Sequence, residues 1–239
     1  MKLLKTNTIG LLALSLFITS NSFAGAMEDD PLLTKIIIDK LEITDKNDEG
    51  NKTLSWEAEA WVGKDLNKFW LKSSGERVDG AQETSTSALY SRAIDPYWDV
   101  QMGLLHDTIP NQSRDYFQVG LKGVAPYFFE TDASLAVGKK GQTKLSVSSE
   151  YELMLTQQLV LSPEIEFDAY GKSDEKMGIG SGLSSAELGL RLRYEIQREF
   201  APYIGVNFSK KFGRTADFAK AEGESTSDTQ IVMGIRAWF

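Results

Sequence analysis

The chain has 239 residues with 26 basic and 34 acidic side chains, and no cysteine. A net charge of −8 argues against nucleic-acid partners, which need basic faces. The lack of cysteine excludes a disulfide framework and a thiolate metal site, so stability must come from packing or from a closed hydrogen-bonded surface.

Residues 1–24 read as a secretory signal. Lys2 and Lys5 form a basic start, Ile9 to Ile18 an apolar run, and Ser22-Phe23-Ala24 and Ala24-Gly25-Ala26 offer small-residue cleavage sites near 24–26. The apolar run is too short to cross a bilayer as a helix. Without the signal the net charge falls to about −10, which suits solubility or attraction of cations. Residues 25–33 are predicted to be a short flexible leader, and residues 34–239 a single all-β unit. No later segment is apolar enough over the length a membrane-spanning helix needs.

A period of two in hydrophobicity recurs along this unit, and a period of two argues for strands. Twelve strands are predicted, near residues 34–44, 53–62, 67–77, 82–92, 96–106, 114–123, 126–137, 143–155, 158–170, 184–196, 200–212 and 229–239. The clearest internal one sets Ala186, Leu188, Leu190, Leu192, Tyr194 and Ile196 against Glu187, Gly189, Arg191, Arg193, Glu195 and Gln197. Four charges on that second face would be costly in a dry sandwich core. They suit a wet barrel interior or a solvent-facing sheet. The last strand alternates in the same way and ends on Trp238-Phe239, as expected of a strand that closes an outer-membrane barrel.

Connections after the even strands are short, while those after strands one, five, nine and eleven are longer and polar. Short periplasmic turns and long outer loops produce this rhythm, and an even strand count places both termini on the periplasmic side. Three short turns lead into Pro-Tyr, at Pro96-Tyr97, Pro126-Tyr127 and Pro202-Tyr203. Proline is tolerated where a strand begins, and the aromatic residues beside it, with Trp238 and Phe239, are expected at one membrane boundary. Together these patterns predict a transmembrane antiparallel up-and-down β-barrel in the cell outer membrane, surrounded by outer-membrane lipid.

Catalytic signatures are sparse. His106 is the only histidine, and a hydrolytic triad would have to use it with Asp107 and Ser113, residues whose adjacency in sequence does not make a triad. Ser181 lacks the preceding Gly of a nucleophile elbow, and Gly178, Gly180 and Gly182 lack the strand–helix context of a dinucleotide loop. A single His excludes a multi-His zinc site. Thioethers can hold Cu(I). Met102 and Met233 fall on the lipid-facing parity, Met27 in the leader and Met177 in the ninth connection. Met154 falls on the inward parity beside Glu150 and Glu152, which makes it the first candidate ligand.

The inward parity also carries Glu57, Glu59, Asp99, Glu164, Glu166 and Asp168 together with Arg191, Arg193 and Arg236. Two readings follow. Opposite charges on neighbouring strands can pair and fill a narrow lumen, or an excess of acids can form a path that attracts cations.

Several separated stretches resemble the copper resistance protein B family. They are Trp56-Glu57-Ala58-Glu59-Ala60-Trp61-Val62-Gly63, Leu71-Lys72-Ser73-Ser74-Gly75-Glu76, Tyr90-Ser91-Arg92-Ala93-Ile94 and Tyr97-Trp98-Asp99-Val100-Gln101-Met102-Gly103. Tyr151 to Gln157, Gly178 to Ser184, and the run from Leu190 to Phe239 add to them. The resemblance implies an outer-membrane barrel acting in copper tolerance, with no catalytic reaction. Family members often carry a Met- and His-rich leader that binds copper. Here Gly25 to Leu33 holds one Met, Met27, and no His, and Leu105 stands where an Arg would be expected before His106-Asp107.

The expected function is therefore copper tolerance, by sequestering copper ions or passing them across the outer membrane. Candidate metal positions are Met154, Glu150, Glu152, His106, Asp107 and Met27. The expected partners are the barrel assembly machinery and a periplasmic copper-binding protein or copper oxidase. A narrow barrel without a copper role and a lipid hydrolase built on His106 are the rival readings.

Overall fold

The structure, a computed structural model, describes residues 30–44, 52–78, 81–110 and 112–239. The expected signal, Met27 and most of the leader lie outside these residues, as does most of the first outer connection.

The strands in chain order are β1 (Leu33–Thr44), β2 (Thr53–Gly63), β3 (Asn67–Val78), β4 (Ala81–Asp95), β5 (Trp98–Ile109), β6 (Gln112–Ala125), β7 (Phe129–Gly138) and β8 (Thr143–Glu150). There follow β9 (Leu153–Met154), β10 (Leu159–Tyr170), β11 (Gly182–Tyr194), β12 (Phe200–Lys211), helix α1 (Gly213–Glu222) and β13 (Ser227–Trp238). Each strand pairs antiparallel with its neighbour in sequence, β9 merely continues β8 along β10, and β13 pairs with β1. The result is a closed up-and-down barrel of twelve staves, as the alternation predicts. Closure leaves no sheet edge, so every stave can satisfy its backbone without water.

The wall obeys the predicted parity. Leu71, Leu104, Phe117, Leu188, Ile204 and Met233 stand on the outside, each about half exposed or more. An apolar outer band on a closed cylinder is the surface that hydrocarbon covers. Inward positions carry the polar residues, several of them buried, such as Glu42, Glu59, Gln101, Arg191 and Arg193.

Two irregularities shape the lumen. In β1 the register slips between Ile38 and Lys40 against β2, and between Ile38 and Leu41 against β13. This β-bulge turns both Asp39 and Lys40 inward, where alternation would allow one of them. In β8 the pairing stops at Glu150 and resumes at Leu153, with the register along β10 unchanged. The gap lies opposite Pro163, which has no N–H to donate, although its carbonyl accepts from Tyr151 N at 3.0 Å.

The structure differs from expectation at both ends. At the periplasmic end Pro126–Phe128 forms a 3-10 turn, not the start of β7, with φ of 67° at Tyr127 and 65° at Phe128. Tyr97, Tyr127, Phe128 and Phe239 are strongly exposed there, as a membrane-boundary girdle requires. Tyr203 does not join them. Phe200 already begins β12, so Tyr203 falls on the inward parity and is buried. At the outer end the fifth connection is short, because β5 runs to Ile109 and β6 starts at Gln112. The eleventh contains α1, whose Thr215, Ala216 and Ala219 are buried.

Candidate functional site in the barrel lumen

The inward charges do not pair only with neighbours on adjacent strands, as the structural reading of the sequence supposed. Many cross the lumen. Lys40 on β1 reaches Glu164 on β10 at 2.6 Å, Lys122 on β6 reaches Glu59 on β2 at 2.7 Å, and Lys72 on β3 reaches Asp132 on β7 at 2.5 Å. Arg236 on β13 reaches Glu152, in the gap between β8 and β9, at 2.5 Å. Each of these ties joins staves four apart around the cylinder. Shorter links complete the network. Arg191 holds Glu42 and Glu164, each at 2.6 Å, and Tyr203 donates to Glu42 at 3.0 Å. Arg193 holds Glu152 at 2.5 Å and Glu150 at 3.3 Å, and Arg236 lies 3.3 Å from Asp39.

Aromatic rings thicken the periplasmic part of this network. Trp61 and Trp70 face inward, 6.0 Å between ring centroids, with Lys68 over Trp61 and Lys72 and Lys122 over Trp70. Asp99 accepts from Ser91 Oγ at 3.0 Å and lies 3.7 Å from Lys68.

These ties divide the lumen into two larger chambers and a smaller cavity of about 120 Å³ beside Lys72 and Asp132. The outer one, of about 440 Å³, is walled by Glu76 and Glu83, by Asp107, Glu166 and Asp168, and by Lys144 and Arg191, with Met177 and Ile179 of the ninth connection over it. The inner one, of about 350 Å³, is walled by Asp39, Glu59, Lys122, Glu130, Glu150 and Arg236. Lys40 and Glu57 line both.

The charge balance differs from wall to wall. In the outer chamber Glu76 and Glu83 face each other directly across β3 and β4, a like-charge pair that costs stability. Neither they nor Glu166 have an ion-pair partner among the described residues. Asp168 accepts from Ser146 Oγ, and Asp107 from Ser85 Oγ at 2.7 Å with Lys144 at 3.6 Å. In the inner chamber most acids are engaged by Arg or Lys.

The outer mouth is partly covered. Asp174 of the ninth connection accepts from Arg114 on β6 at 2.9 Å and from Gln142 at 2.7 Å. On the far side Gly180 N and Ser184 Oγ both meet Thr215 Oγ1 of α1 at 2.8 Å. A side chain at Gly180 would strike the backbone of Thr215, so glycine lets connection and helix touch.

The candidate metal residues scatter. Met154 keeps its inward parity but sits at the periplasmic rim, 72% exposed, while Glu150 and Glu152 are held by Arg193 and Arg236. His106 and Asp107 are consecutive in β5 and so point to opposite faces of the wall. His106 faces outward and bonds Asp115 through Nδ1 at 2.7 Å, while Asp107 faces the lumen. The triad considered from sequence is therefore not assembled, and neither is a joint His106–Asp107 metal site. Among the described residues no three His, Asp or Glu side chains converge as a preformed metal cage.

The sequence reading missed Asp39, Lys40, Glu42 and Tyr203. Its usable signal was the phase slip in Ile36-Ile37-Ile38-Asp39-Lys40-Leu41-Glu42-Ile43, where outward apolar residues change parity across two adjacent charges.

Known proteins with similar structures share the architecture at low identity. The NanC porin superposes with a TM-score of 0.55 at 11% identity, covering 86% of this chain and 99% of that one. The KdgM porin gives 0.50 at 11% identity over the same shares. Such likeness speaks to the fold alone. Sequence relatives are closer. Copper resistance protein B of Escherichia coli is 40% identical over 215 residues, 90% of this chain and 72% of that protein. The copper resistance protein B homolog of Pseudomonas syringae pv. tomato is 38% identical over 214 residues, 89% of this chain and 72% of that protein. The family model described as copper resistance protein B precursor matches residues 32–239. This outer-membrane barrel belongs to the copper resistance protein B family.

Proposed function

We propose that the barrel serves copper tolerance by drawing copper ions into the acidic outer chamber and holding them loosely there, ahead of any transfer inward. The observation that carries this reading is the uneven charge of the lumen. Glu76, Glu83 and Glu166 line the outer chamber without ion-pair partners among the described residues, whereas cross-lumen ties occupy the region below. Acids outnumber Lys40, Lys144 and Arg191 in this wall, and a cleft of net negative charge with low-dielectric walls raises local cation concentration by about 10-fold or more. Carboxylates attract Cu(II) but form no closed cage here, so the ion is captured as cargo and exchanges readily. A periplasmic copper-binding protein or copper oxidase would be the acceptor for ions that reach the inner side.

Copper titration of the purified full-length barrel in detergent tests the reading. Exchanging Glu76, Glu83 and Glu166 together for Gln should weaken copper binding strongly, while Met154→Leu should leave it unchanged. Undiminished binding in the triple variant, or loss of binding in Met154→Leu, would overturn it. A strain carrying the triple variant should also grow less well on copper than one carrying the parent barrel.

A further inference from the structure

We propose that Lys40 is the gate of the lumen, a tethered cation that fills the neck between the two chambers and decides whether small ions cross. The two larger chambers share two wall residues, Lys40 and Glu57, so they meet at this side chain, while the smaller cavity of about 120 Å³ on the other side of Glu57 is crossed by the Lys72–Asp132 tie. Lys40 Nζ lies 3.0 Å from Glu57 on the adjacent strand and 2.6 Å from Glu164 four staves away. The side chain therefore spans the neck as a bar anchored on carboxylates at its far end. The β1 bulge explains its presence there, since the extra residue puts Asp39 and Lys40 into the lumen together.

The chemistry of the neck separates a fixed element from a movable one. Arg191 is buried, and its planar fork is held by both Glu42 and Glu164. Lys40 ends in a compact ammonium on a flexible four-carbon stem, which makes it a point charge that can swing away without rotating a planar group. Its two carboxylate partners are the groups that a passing cation would need, and the ammonium occupies them. A cation arriving from the outer chamber competes with Lys40 for Glu57 and Glu164. This device concerns any small cation and stands on the division of the lumen, so it can fail while the copper reading holds, and the reverse.

Planar-bilayer recording in potassium chloride, with the full-length protein, tests the gate without copper. The parent barrel should conduct poorly. Lys40→Met should raise single-channel conductance several-fold, because the methionine fills less of the neck and brings no charge. Reversal potentials across a salt gradient should then show a preference for potassium over chloride of about tenfold, as an exposed acidic constriction imposes. Lys40→Arg should stay closed. Because Lys40→Met strands Glu57 without its partner, folding is checked by heat-modifiable electrophoretic mobility. Should that variant not fold, Lys40→Met with Glu57→Gln carries the test, since it removes both charges, and it should conduct with weaker cation preference. Parent-like conductance from a folded Lys40→Met or double variant would overturn the proposal, as would a parent barrel that is already freely conducting.

Discussion

Arg191 is among the most enclosed cations of the lumen network and is held by two carboxylates on different strands, so its removal tests whether that network holds the barrel together. The side chain is 6% exposed, and its partners Glu42 and Glu164 are 5% and 14% exposed. Arg191→Met keeps most of the volume and removes the charge. Breaking a buried pair by deleting one partner costs about 3–5 kcal/mol, because a buried charge is left uncompensated. Here Glu42 keeps the Tyr203 hydroxyl and Glu164 keeps Lys40, so the cost belongs at the lower end, about 3 kcal/mol. With a urea dependence of about 1–3 kcal/mol per molar, the unfolding midpoint should fall by about 1–3 M.

Urea unfolding of the barrel in lipid vesicles, followed by tryptophan fluorescence and gel mobility, reads this shift. Adding Glu42→Gln to Arg191→Met should restore part of the loss, since the stranded carboxylate is its main source. The exposed pair of Lys211 with Glu224, at 2.7 Å, provides the contrast. Lys211→Met should cost no more than about 1 kcal/mol. A midpoint for Arg191→Met that matches the parent would refute the reasoning, because it would mean that water already screens the belt.

Three further outcomes are expected. Arg114→Ala removes the tie to Asp174, so trypsin should cleave faster at Lys172 or Lys176 in the ninth connection while the barrel stays resistant; equal cleavage rates would show that the tie anchors nothing. Gly75→Val would press a side chain against the Glu83 carbonyl and the Trp56 indole, whose Cζ2 lies 2.6 Å from an added Cβ. Overpacking of that kind costs about 1–3 kcal/mol and should shift the tryptophan emission, and a silent substitution would show that this wall is not close-packed at Gly75. Thr215→Val deletes the hydroxyl that meets Gly180 N and Ser184 Oγ. Hydrogen exchange in α1 should accelerate with a local loss of about 1–3 kcal/mol, while global unfolding stays unchanged.

Much of the wall was legible because alternation is a property of each strand alone. Ala186 to Ile196 reveal which residues face lipid without knowledge of any partner. The interior membership of Glu57, Glu164, Arg191 and Arg236 followed by the same parity. What those residues touch was not legible. Lys122 and Glu59 are 63 positions apart, and Lys40 and Glu164 are 124 apart. Strand order places such residues on the same level, and no local pattern encodes the level. The opposed facing of His106 and Asp107 was already implied by their adjacency, yet both were grouped as metal candidates because chemistry was weighed ahead of parity. Tyr203 was assigned to the girdle because it follows a proline close to a short turn, as Tyr97 and Tyr127 do, whereas its parity in β12 turns it into the lumen, where it is buried.

By itself the sequence determined a greasy exterior, a charged interior, the number of staves and the family. These follow from residue type repeated at a period of two, and from motifs that survive as contiguous strings. Tertiary structure alone decided that the lumen is crossed instead of open, that acids unpaired among the described residues gather in its outer half, and that Lys40 stands between the halves. Those features depend on strand register, on the gap opposite Pro163 that frees Glu152, and on the bulge in β1, where one residue of slip redirects every side chain beyond it.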